Sequence, residues 1–274
     1  MPEGEDTLPP RKRWPPVEHT AVGVHVSLPI PEAIECFGLM GFEWVFLDAQ
    51  HSPLIPRDAR ELVRAADLCG MPVIVRVAEI VPSIIEAFLD VGVQGILAPD
   101  VRTVAQAQSL AAAVRFPPQG KRGSAPRSRA AGYGLQSRPS LRAADSFLKA
   151  KEAVLAGVLL ESTEGLDRLE AIAAVPGIEA IAIGANDLAL SLGMTDSQAP
   201  AVRTLVEDAE RRIRAIGKTR IAVVSNVQQG QLQSRAGASL IAVNDLALLS
   251  QAALNFLAGI RSSKNEGRDT NSVG

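Results

Sequence analysis

The chain has 274 residues, 47% of them hydrophobic, and its formal net charge is −2 at pH 7. A chain of this length and apolar content can bury one large core, so we expect a single domain. Its basic residues are dispersed and no apolar run approaches the ~18 residues of a membrane span. We therefore expect the protein to bind a small molecule and to have neither a nucleic acid nor a membrane as its partner.

The ends of the chain differ from its middle in composition. The first 16 residues, MPEGEDTLPPRKRWPP, are charged and Pro-rich where a signal peptide needs an apolar stretch. Cys36 and Cys69 form no CxxC pair, which argues against a zinc site or a disulfide framework. We expect a cytoplasmic protein with polar tails over residues 1–18 and 262–274 and one domain over 19–261.

Eight apolar, β-branched runs follow one another along the domain. They are continuous, as expected of parallel strands that are covered on both faces. The predicted strands are Val22–Leu28, Trp44–Ala49, Val73–Val77, Gly95–Pro99, Leu155–Leu160, Ala180–Gly184, Ile221–Ser225 and Ser239–Val243.

Segments with helical spacing separate these runs. They include Pro56–Leu68, Val104–Val114, Leu166–Ala174, Val202–Ile216 and Leu246–Ile260. Strict alternation of strand and helix predicts an α/β fold, a single-domain TIM (β/α)8 barrel. About 55 residues separate the fourth strand from the fifth, and we expect this connection, which includes residues 115–134, to form a lid or an acceptor-binding loop over the catalytic face. The alternative is a surface excursion.

Polar residues follow several predicted strands at the ends where barrel enzymes place their chemistry. Glu161 ends an apolar run and needs a cation or a basic partner. Asp187 follows the next strand, so the two carboxylates could hold Mg²⁺, Mn²⁺ or Co²⁺ together with water and substrate. The alternative for both residues is a helix N-cap.

His51 and Arg76 are the other candidates on this rim. His51 follows the second strand together with Asp48 and Gln50, where a neutral imidazole can move a proton, although a solvated loop histidine has the same pattern. Arg76 interrupts an apolar strand, so its guanidinium must meet a substrate anion or a structural carboxylate. No predicted strand ends in lysine, so a Schiff-base mechanism lacks its nucleophile.

Several motifs, taken together and in order, resemble the class II, metal-dependent pyruvate aldolases typified by 4-hydroxy-2-oxoheptane-1,7-dioate aldolase and 2-dehydro-3-deoxyglucarate aldolase. The motifs are GFEWVFLDAQH, VRV, FLDVGVQGILAPDV, RFPPQGKRG, RAAGYG, LLESTEG, IGANDLALSLG and IAVNDLALL.

The resemblance implies a role for each matching residue. His51 corresponds to the base, Asp90 to the residue that raises its basicity, and Arg76 to the residue that steadies the enolate. Glu161 and Asp187 correspond to the metal ligands, and the backbone amides of Gly184, Ala185, Asn186 and Asp187 to the site of the substrate carboxylate. The reaction would join or cleave a 2-oxo acid enolate and an aldehyde in a trimer or hexamer.

Three positions depart from the family pattern. Gln50 stands where the family has glutamate, Leu159 where many members have glutamine, and Ala185 where many have proline. These changes leave three alternatives open, namely another 2-oxo acid, decarboxylation, or a barrel that only binds a metabolite. An acyl-CoA lyase is a further alternative, with its basic patch at Lys121, Arg122, Arg127 and Arg129.

Overall fold

The computed structural model describes Trp14, residues 20–134 and residues 154–269, with the backbone alone for 263–269. In it, eight parallel strands close into a barrel in chain order. The predicted fold is confirmed, and every predicted strand lies within two residues of an observed one. The strands are β1 (Ala21–Val26), β2 (Trp44–Asp48), β3 (Val73–Arg76), β4 (Gly95–Ala98), β5 (Leu155–Leu160), β6 (Ala180–Ile183), β7 (Thr219–Val224) and β8 (Leu240–Asn244).

Helices follow the strands and surround the barrel. Prolines open α1, α2 and α3, where a missing backbone N–H costs nothing. The helices are α1 (Pro31–Leu39), α2 (Pro56–Leu68), α3 (Pro82–Asp90), α4 (Val104–Val114), α5 (Thr163–Asp167), α6 (Leu169–Ala173), α7 (Ala185–Ser191), α8 (Pro200–Ala215), α9 (Val227–Arg235) and α10 (Asp245–Asp269). None of the helices in the described residues is long and apolar enough to span a membrane.

The core has two layers, one inside the barrel and one between the strands and the helices. Side chains such as Trp44, Phe46, Ile74 and Leu97 fill the barrel, while the residues between them on the same strands pack outward against the helices. Trp14, within the predicted tail, donates a hydrogen bond to the carbonyl of Gln94 and meets Trp44 edge to face. The filled interior leaves polar chemistry to the ends of the strands.

The connection between β4 and β5 does not lie where we expected. Helix α4 returns the chain to the amino end of the barrel, so residues 115–134 begin there and not at the carboxyl end. Arg115 contacts the carbonyl of Val154, just before β5, and the carboxylate of Glu179, just before β6. The prediction of a lid is wrong for residues 115–134, and residues 135–153 lie outside the described part of the chain.

The carboxyl end of the chain is helical beyond the predicted boundary at residue 262. The backbone of α10 continues to Asp269. Large apolar side chains of α10 are strongly exposed, with Leu254 at 65% and Phe256 at 70% of full accessibility. Within a single chain, this helix therefore leaves an apolar surface uncovered.

Candidate active site

Polar side chains from several strands meet at the carboxyl end of the barrel, which we call the mouth. Asp48 ends β2, Arg76 ends β3 and Asn244 ends β8, while Glu161 directly follows β5. Each lies two residues after a side chain of the barrel interior, so each is on the inward face of its strand. Asp48 pairs with Arg76 on the neighbouring strand, and Asn244 pairs with His25. The convergence predicted from the sequence is therefore observed for Asp48, Arg76 and Glu161.

Arg76 and Asp48 form a two-point ion pair at the mouth. Arg76 Nε lies 3.0 Å from Asp48 Oδ1, and Arg76 Nη2 lies 2.6 Å from Asp48 Oδ2. Burial alone would raise the pKa of Asp48, but the hydrogen bonds and charge of Arg76, with the amides of Gln50 and His51, leave it lowered. The pair holds the guanidinium in one orientation, with further donors left for a ligand.

Glu161 is buried, and no basic side chain of the described residues forms an ion pair with it. It is 5% exposed, and its Oε1 accepts a hydrogen bond of 2.9 Å from the amide of Asp100. Burial, followed by the charge of Asp187, raises the pKa of Glu161 from 4.5 to about 7, because both disfavour its ionised form. A cation between the two carboxylates would remove this penalty.

The helix-capping alternative is wrong for both acids. Ser162, not Glu161, caps α5, and Asp187 is the third residue of α7, whose N-cap is Gly184. Gly184 also makes room for Glu161, because a Cβ at this position would lie 2.6 Å from Glu161 Oε2. The backbone is therefore shaped around the carboxylate.

The donor set fits a hard divalent cation. Two carboxylates, one directly after β5 and one in α7 after β6, would supply part of an octahedral oxygen shell, as Mg²⁺ and Mn²⁺ prefer. No group of three or more His, Cys, Asp or Glu side chains able to hold a metal occurs in the described part of the chain. The remaining positions would therefore fall to water and to substrate oxygens.

His51 and Gln50 lie beside this pair in the loop after β2. The ring of His51 is exposed, and its amide donates to Asp48 Oδ1 over 3.4 Å. Gln50 is half-buried, and its Oε1 is buried without a hydrogen-bond partner among the described residues. The loop thus places an exposed histidine and a half-buried amide beside the mouth.

His25 is a polar group of the mouth that the sequence analysis did not identify. Its ring packs on Phe46 at 4.8 Å, and its Nδ1 lies 3.2 Å from Asn244 Nδ2. The oxygen of the same amide accepts from the backbone of Ala247, so the NH₂ group must face the imidazole. His25 is thereby fixed as the neutral tautomer that carries its proton on Nε2, and burial lowers its pKa. The register of His25 with Asn244, a polar pair on neighbouring strands, is the signal that was missed.

Known proteins are similar to this chain over most of its length. Residues 21–244 match the HpcH/HpaI aldolase/citrate lyase family. The 2-keto-3-deoxy-L-rhamnonate aldolase of Shigella sonnei is 35% identical over 250 residues, which cover 89% of this chain and 90% of the relative.

The chain belongs to the HpcH/HpaI family. A pyruvate aldolase of Rhizobium etli is 34% identical over 198 residues, covering 72% of this chain and 75% of that protein. A crystal structure of an HpcH/HpaI aldolase/citrate lyase family protein from Burkholderia cenocepacia superposes with a TM-score of 0.82 at 29% identity, covering 89% of this chain and 95% of that one. The predicted family is confirmed, and the chain is an enzyme of the aldolase class of lyases.

Asp90 is the predicted site residue that this HpcH/HpaI chain does not bring to the mouth. It ends α3, and because α3 runs back from the mouth, Asp90 lies at the amino end of the barrel, away from His51. Its carboxylate lies 3.6 Å from Arg122 Nη2, and burial raises its pKa more than Arg122 lowers it. Within one chain, Asp90 therefore cannot raise the basicity of His51.

Arg122 and Arg129, from the predicted basic patch, also lie away from the mouth. Arg122 is 8% exposed and stacks over Phe116 with its guanidinium carbon 4.7 Å from the ring centre. Arg129 Nη2 lies 2.6 Å from Asp67 Oδ2. These arginines are held by the helices of the amino end, so no basic patch forms at the mouth from them.

Leu159 lies inside the barrel, two residues before Glu161 on β5. It is 6% exposed and packs in the interior cluster with Ala182. An apolar side chain thus lies beneath the carboxylates, where a glutamine could donate a hydrogen bond to the substrate. The interior below the mouth therefore has one hydrogen-bonding side chain fewer than it would have with glutamine.

Proposed function

We propose that this HpcH/HpaI enzyme is a divalent-metal-dependent aldolase that forms or cleaves the bond between the enolate of a pyruvate-like 2-oxo acid and an aldehyde. The observation that carries the proposal is Glu161, a carboxylate that is only 5% exposed and whose pKa is raised to about 7 by burial and then by the charge of Asp187. Such a pair is costly to fold unless a cation joins it. Mg²⁺, Mn²⁺ and Co²⁺ are the candidates, and a cytoplasmic location stays a prediction.

The bound cation would supply Lewis-acid stabilisation of the negative charge that develops on the 2-oxo acid. Arg76, held by Asp48, would donate hydrogen bonds to the same developing charge. His51 would take the proton of the C4 hydroxyl in the cleavage direction and return it in the synthetic direction. The amides of residues 184–187, at the start of α7, stay the predicted site of the substrate carboxylate.

The enzyme would work as an oligomer in which the site is shared. Asp90 and His51 lie at opposite ends of one barrel, so a functional pair requires Asp90 of a second chain. The exposed apolar side chains of α10, including Leu254 and Phe256, support a close association of chains.

Mixing two inactive variants tests whether the site is shared between chains. If His51 and Asp90 come from different chains, an equal mixture of His51→Ala and Asp90→Asn protein should recover about a quarter of the wild-type activity. This is the fraction of sites in a randomly assembled trimer or hexamer that contain both native residues. No restoration after subunit exchange would place both residues in one site of one chain, or leave Asp90 without a role.

Within one chain, Arg122 and Arg129 do not supply the basic patch that an acyl-CoA lyase would need at its mouth. Arg122 and Arg129 are committed to Asp90 and Asp67 at the amino end. A barrel that only binds a metabolite is also less well supported, since it would have no reason to keep the repulsion between Glu161 and Asp187.

Exchange of the methyl protons of pyruvate in D₂O, followed by NMR, tests the proposal without knowledge of the aldehyde. We expect exchange that requires Mg²⁺, Mn²⁺ or Co²⁺, stops with a chelator and is lost in Glu161→Gln. Val223→Ile serves as the control for general disturbance of the mouth, because Val223 lies near the end of β7 and pairs with Ala242, whose side chain is in the barrel interior. Metal binding by calorimetry with no exchange at any metal would contradict the proposed reaction on pyruvate-like acids.

A further inference from the structure

A cavity of ≈ 280 Å³ opens at the amino end of the barrel, where α8 and α9 end and where the chain enters β7, β8 and β1. Its volume is near the lower limit for a ligand site, so it suits a small molecule or ion. Strands β7 and β8 lie opposite β3 and β4 in the closed barrel, so the cavity is on the other side of the amino end from Asp90. Its lining includes Arg214, Gly217, Lys218, Arg220, Ser234 and Gly237.

Two basic side chains at this cavity have no acidic partner in the described residues. Arg214, in the last turn of α8, donates to the carbonyl of Ala236, and Lys218 Nζ lies 2.6 Å from the carbonyl oxygen of Ile178. A carbonyl group carries only a partial charge, so these bonds hold the two cations in place without neutralising them. The cavity therefore has two positive charges that no acid of the described residues balances.

Arg220 adds a third positive charge behind the wall of the cavity. Its side chain is 3% exposed, and its Nη1 lies 2.7 Å from Glu210 Oε1. Burial lowers the pKa of Arg220, Glu210 opposes this change, and the charge of Arg214 lowers the pKa further. Arg214 and Arg220 thus repel each other. An anion beside Arg214 would reduce this repulsion through its charge, without touching the buried Arg220.

The segment that forms this cavity is basic, although the whole chain is slightly acidic. Residues 200–238 contain seven arginines and lysines but three aspartates and glutamates, whereas the chain contains 28 and 30. Arg203, Arg211 and Arg212 form ion pairs with acids of α8 or α6. The remaining excess of positive charge is concentrated around the cavity, where it raises the local concentration of anions.

The groups that a ligand would meet are hydrogen-bond donors. Arg214 and Lys218 keep N–H groups that the carbonyls do not use, since a guanidinium has five and an ammonium has three. Ser234 is exposed at the rim, and its hydroxyl has no hydrogen bond to another described residue. Gly237 leaves space for the guanidinium, because a Cβ there would lie 3.0 Å from Arg214 Nε. The matching ligand accepts hydrogen bonds and is negatively charged.

We propose that this cavity binds a small, doubly charged oxyanion, which is inorganic phosphate or the phosphoryl group of a small phosphate monoester. Arg214 and Lys218 would donate charge-assisted hydrogen bonds to its oxygens, and Ser234 would donate a neutral one. Two unbalanced cations favour a charge of about −2 over the single charge of a carboxylate. The proposal does not depend on the aldolase function, because no residue of the mouth takes part.

Calorimetric titration of the full chain with inorganic phosphate, in metal-free buffer at constant ionic strength, tests the proposal. We expect wild type to bind with a Kd below about 1 mM. Arg214→Gln and Lys218→Gln should each weaken binding by about tenfold or more, the effect of one charge-assisted hydrogen bond. Arg211→Gln is the matched control, since it removes the same charge from α8, and Arg211 pairs with Asp208 instead of lining the cavity. Its Kd should stay within about twofold of wild type, because salt screens the more distant charge.

Two further ligands define the chemistry of the site. Acetate carries one charge and should bind at least about tenfold more weakly than phosphate. Acetate that binds as tightly as phosphate would overturn the assignment of a doubly charged ligand. Glycerol 3-phosphate distinguishes the two sources of the phosphoryl group. Tighter binding than that of inorganic phosphate would identify a phosphate monoester as the ligand, and weaker binding would identify free phosphate.

Thermal unfolding of the same variants without phosphate separates ligand binding from stabilisation of the helix ends, which basic side chains also provide. If wild type does not bind phosphate and the two glutamine variants only have a lower Tm, the cations serve the helices and the proposal fails. Equal phosphate binding by wild type, Arg214→Gln and Lys218→Gln would place the anion elsewhere and overturn it too. Should these variants not fold, Ser234→Ala, which removes one exposed hydroxyl, should weaken binding by about threefold, and unchanged binding would count against the site.

Discussion

The two ends of this barrel give a buried acid different neighbours. At the amino end, Glu210 is paired with a cation, with Arg220 Nη1 2.7 Å from Glu210 Oε1 and the two side chains 3% and 11% exposed. At the mouth, Asp48 is paired in the same way with Arg76, but Glu161 has another acid, Asp187, as a charged neighbour that raises its pKa. The pair at the amino end is arranged for stability, and the mouth is arranged to be completed by ligands.

The largest expected effect is on activity at the mouth. Glu161→Gln keeps the volume but removes the charge that would bind the cation. Metal-dependent exchange of pyruvate should fall by at least about 100-fold, because the metal contributes several kcal/mol. The metal-free protein should become more resistant to urea, since the repulsion with Asp187 disappears. A less stable Glu161→Gln protein would mean that the carboxylate has a structural partner instead.

The corresponding change at the amino end should do the reverse. Glu210→Gln leaves Arg220 buried without its counter-ion, so we expect a loss of about 3 kcal/mol in the free energy of unfolding. Activity of the folded fraction should stay close to wild type, because the pair lies far from the mouth. Urea unfolding and pyruvate exchange on the same samples measure both quantities, and a large loss of kcat with unchanged stability would contradict the division between the two ends.

The pH dependence should differ between the mouth and the rest of the molecule. The pKa of Glu161 is raised from 4.5 to about 7 in the folded protein, so the folded state binds a proton that the unfolded state has lost in that window. Stability of the metal-free protein should therefore fall as pH rises from about 4.5 to 7. Metal affinity should rise over the same range, because cation and proton compete. Calorimetric titration with Mn²⁺ at several pH values measures this, and Glu161→Gln should lack the dependence.

The smallest effect concerns His25. Asn244→Asp replaces the amide that donates to Nδ1 by a carboxylate that accepts, so the imidazole should gain a proton there and its pKa should rise. Imidazole ¹⁵N shifts measure both the tautomer and the pKa. In wild type we expect the Nε2–H form throughout the neutral range, and an Nδ1–H signal would contradict the assignment.

The order of the strands and the positions of the acids could be predicted from the sequence. Periodicity and proline or glycine punctuation gave every strand within two residues, because a parallel barrel strand must be apolar on both faces. Glu161 and Arg76 stood out for the same reason, since a charge in such a run needs a partner inside the fold. The partner itself was not predictable, and Arg76 proved to bind Asp48.

Two residues or segments expected at the mouth lie elsewhere within one chain. The family resemblance implied a base partner at Asp90, and the length of the connection after β4 suggested a lid that includes residues 115–134. Both follow an outer helix and therefore lie at the amino end. The sequence pattern does not show whether a residue lies at the amino end or at the carboxyl end of the barrel until the preceding helix is placed.

By itself, the sequence determined the barrel, the family and the acids at the ends of β5 and β6, because burial of apolar strands and the cost of buried charge are local rules that the order of residues encodes. Tertiary structure alone decided how these groups meet. Closure of the barrel brings β8 against β1, which fixes the tautomer of His25 through Asn244, and it brings the charges of Glu161 and Asp187 within range of each other. These are effects of distance and solvent exclusion between strands, which depend on the closed barrel and not on any segment.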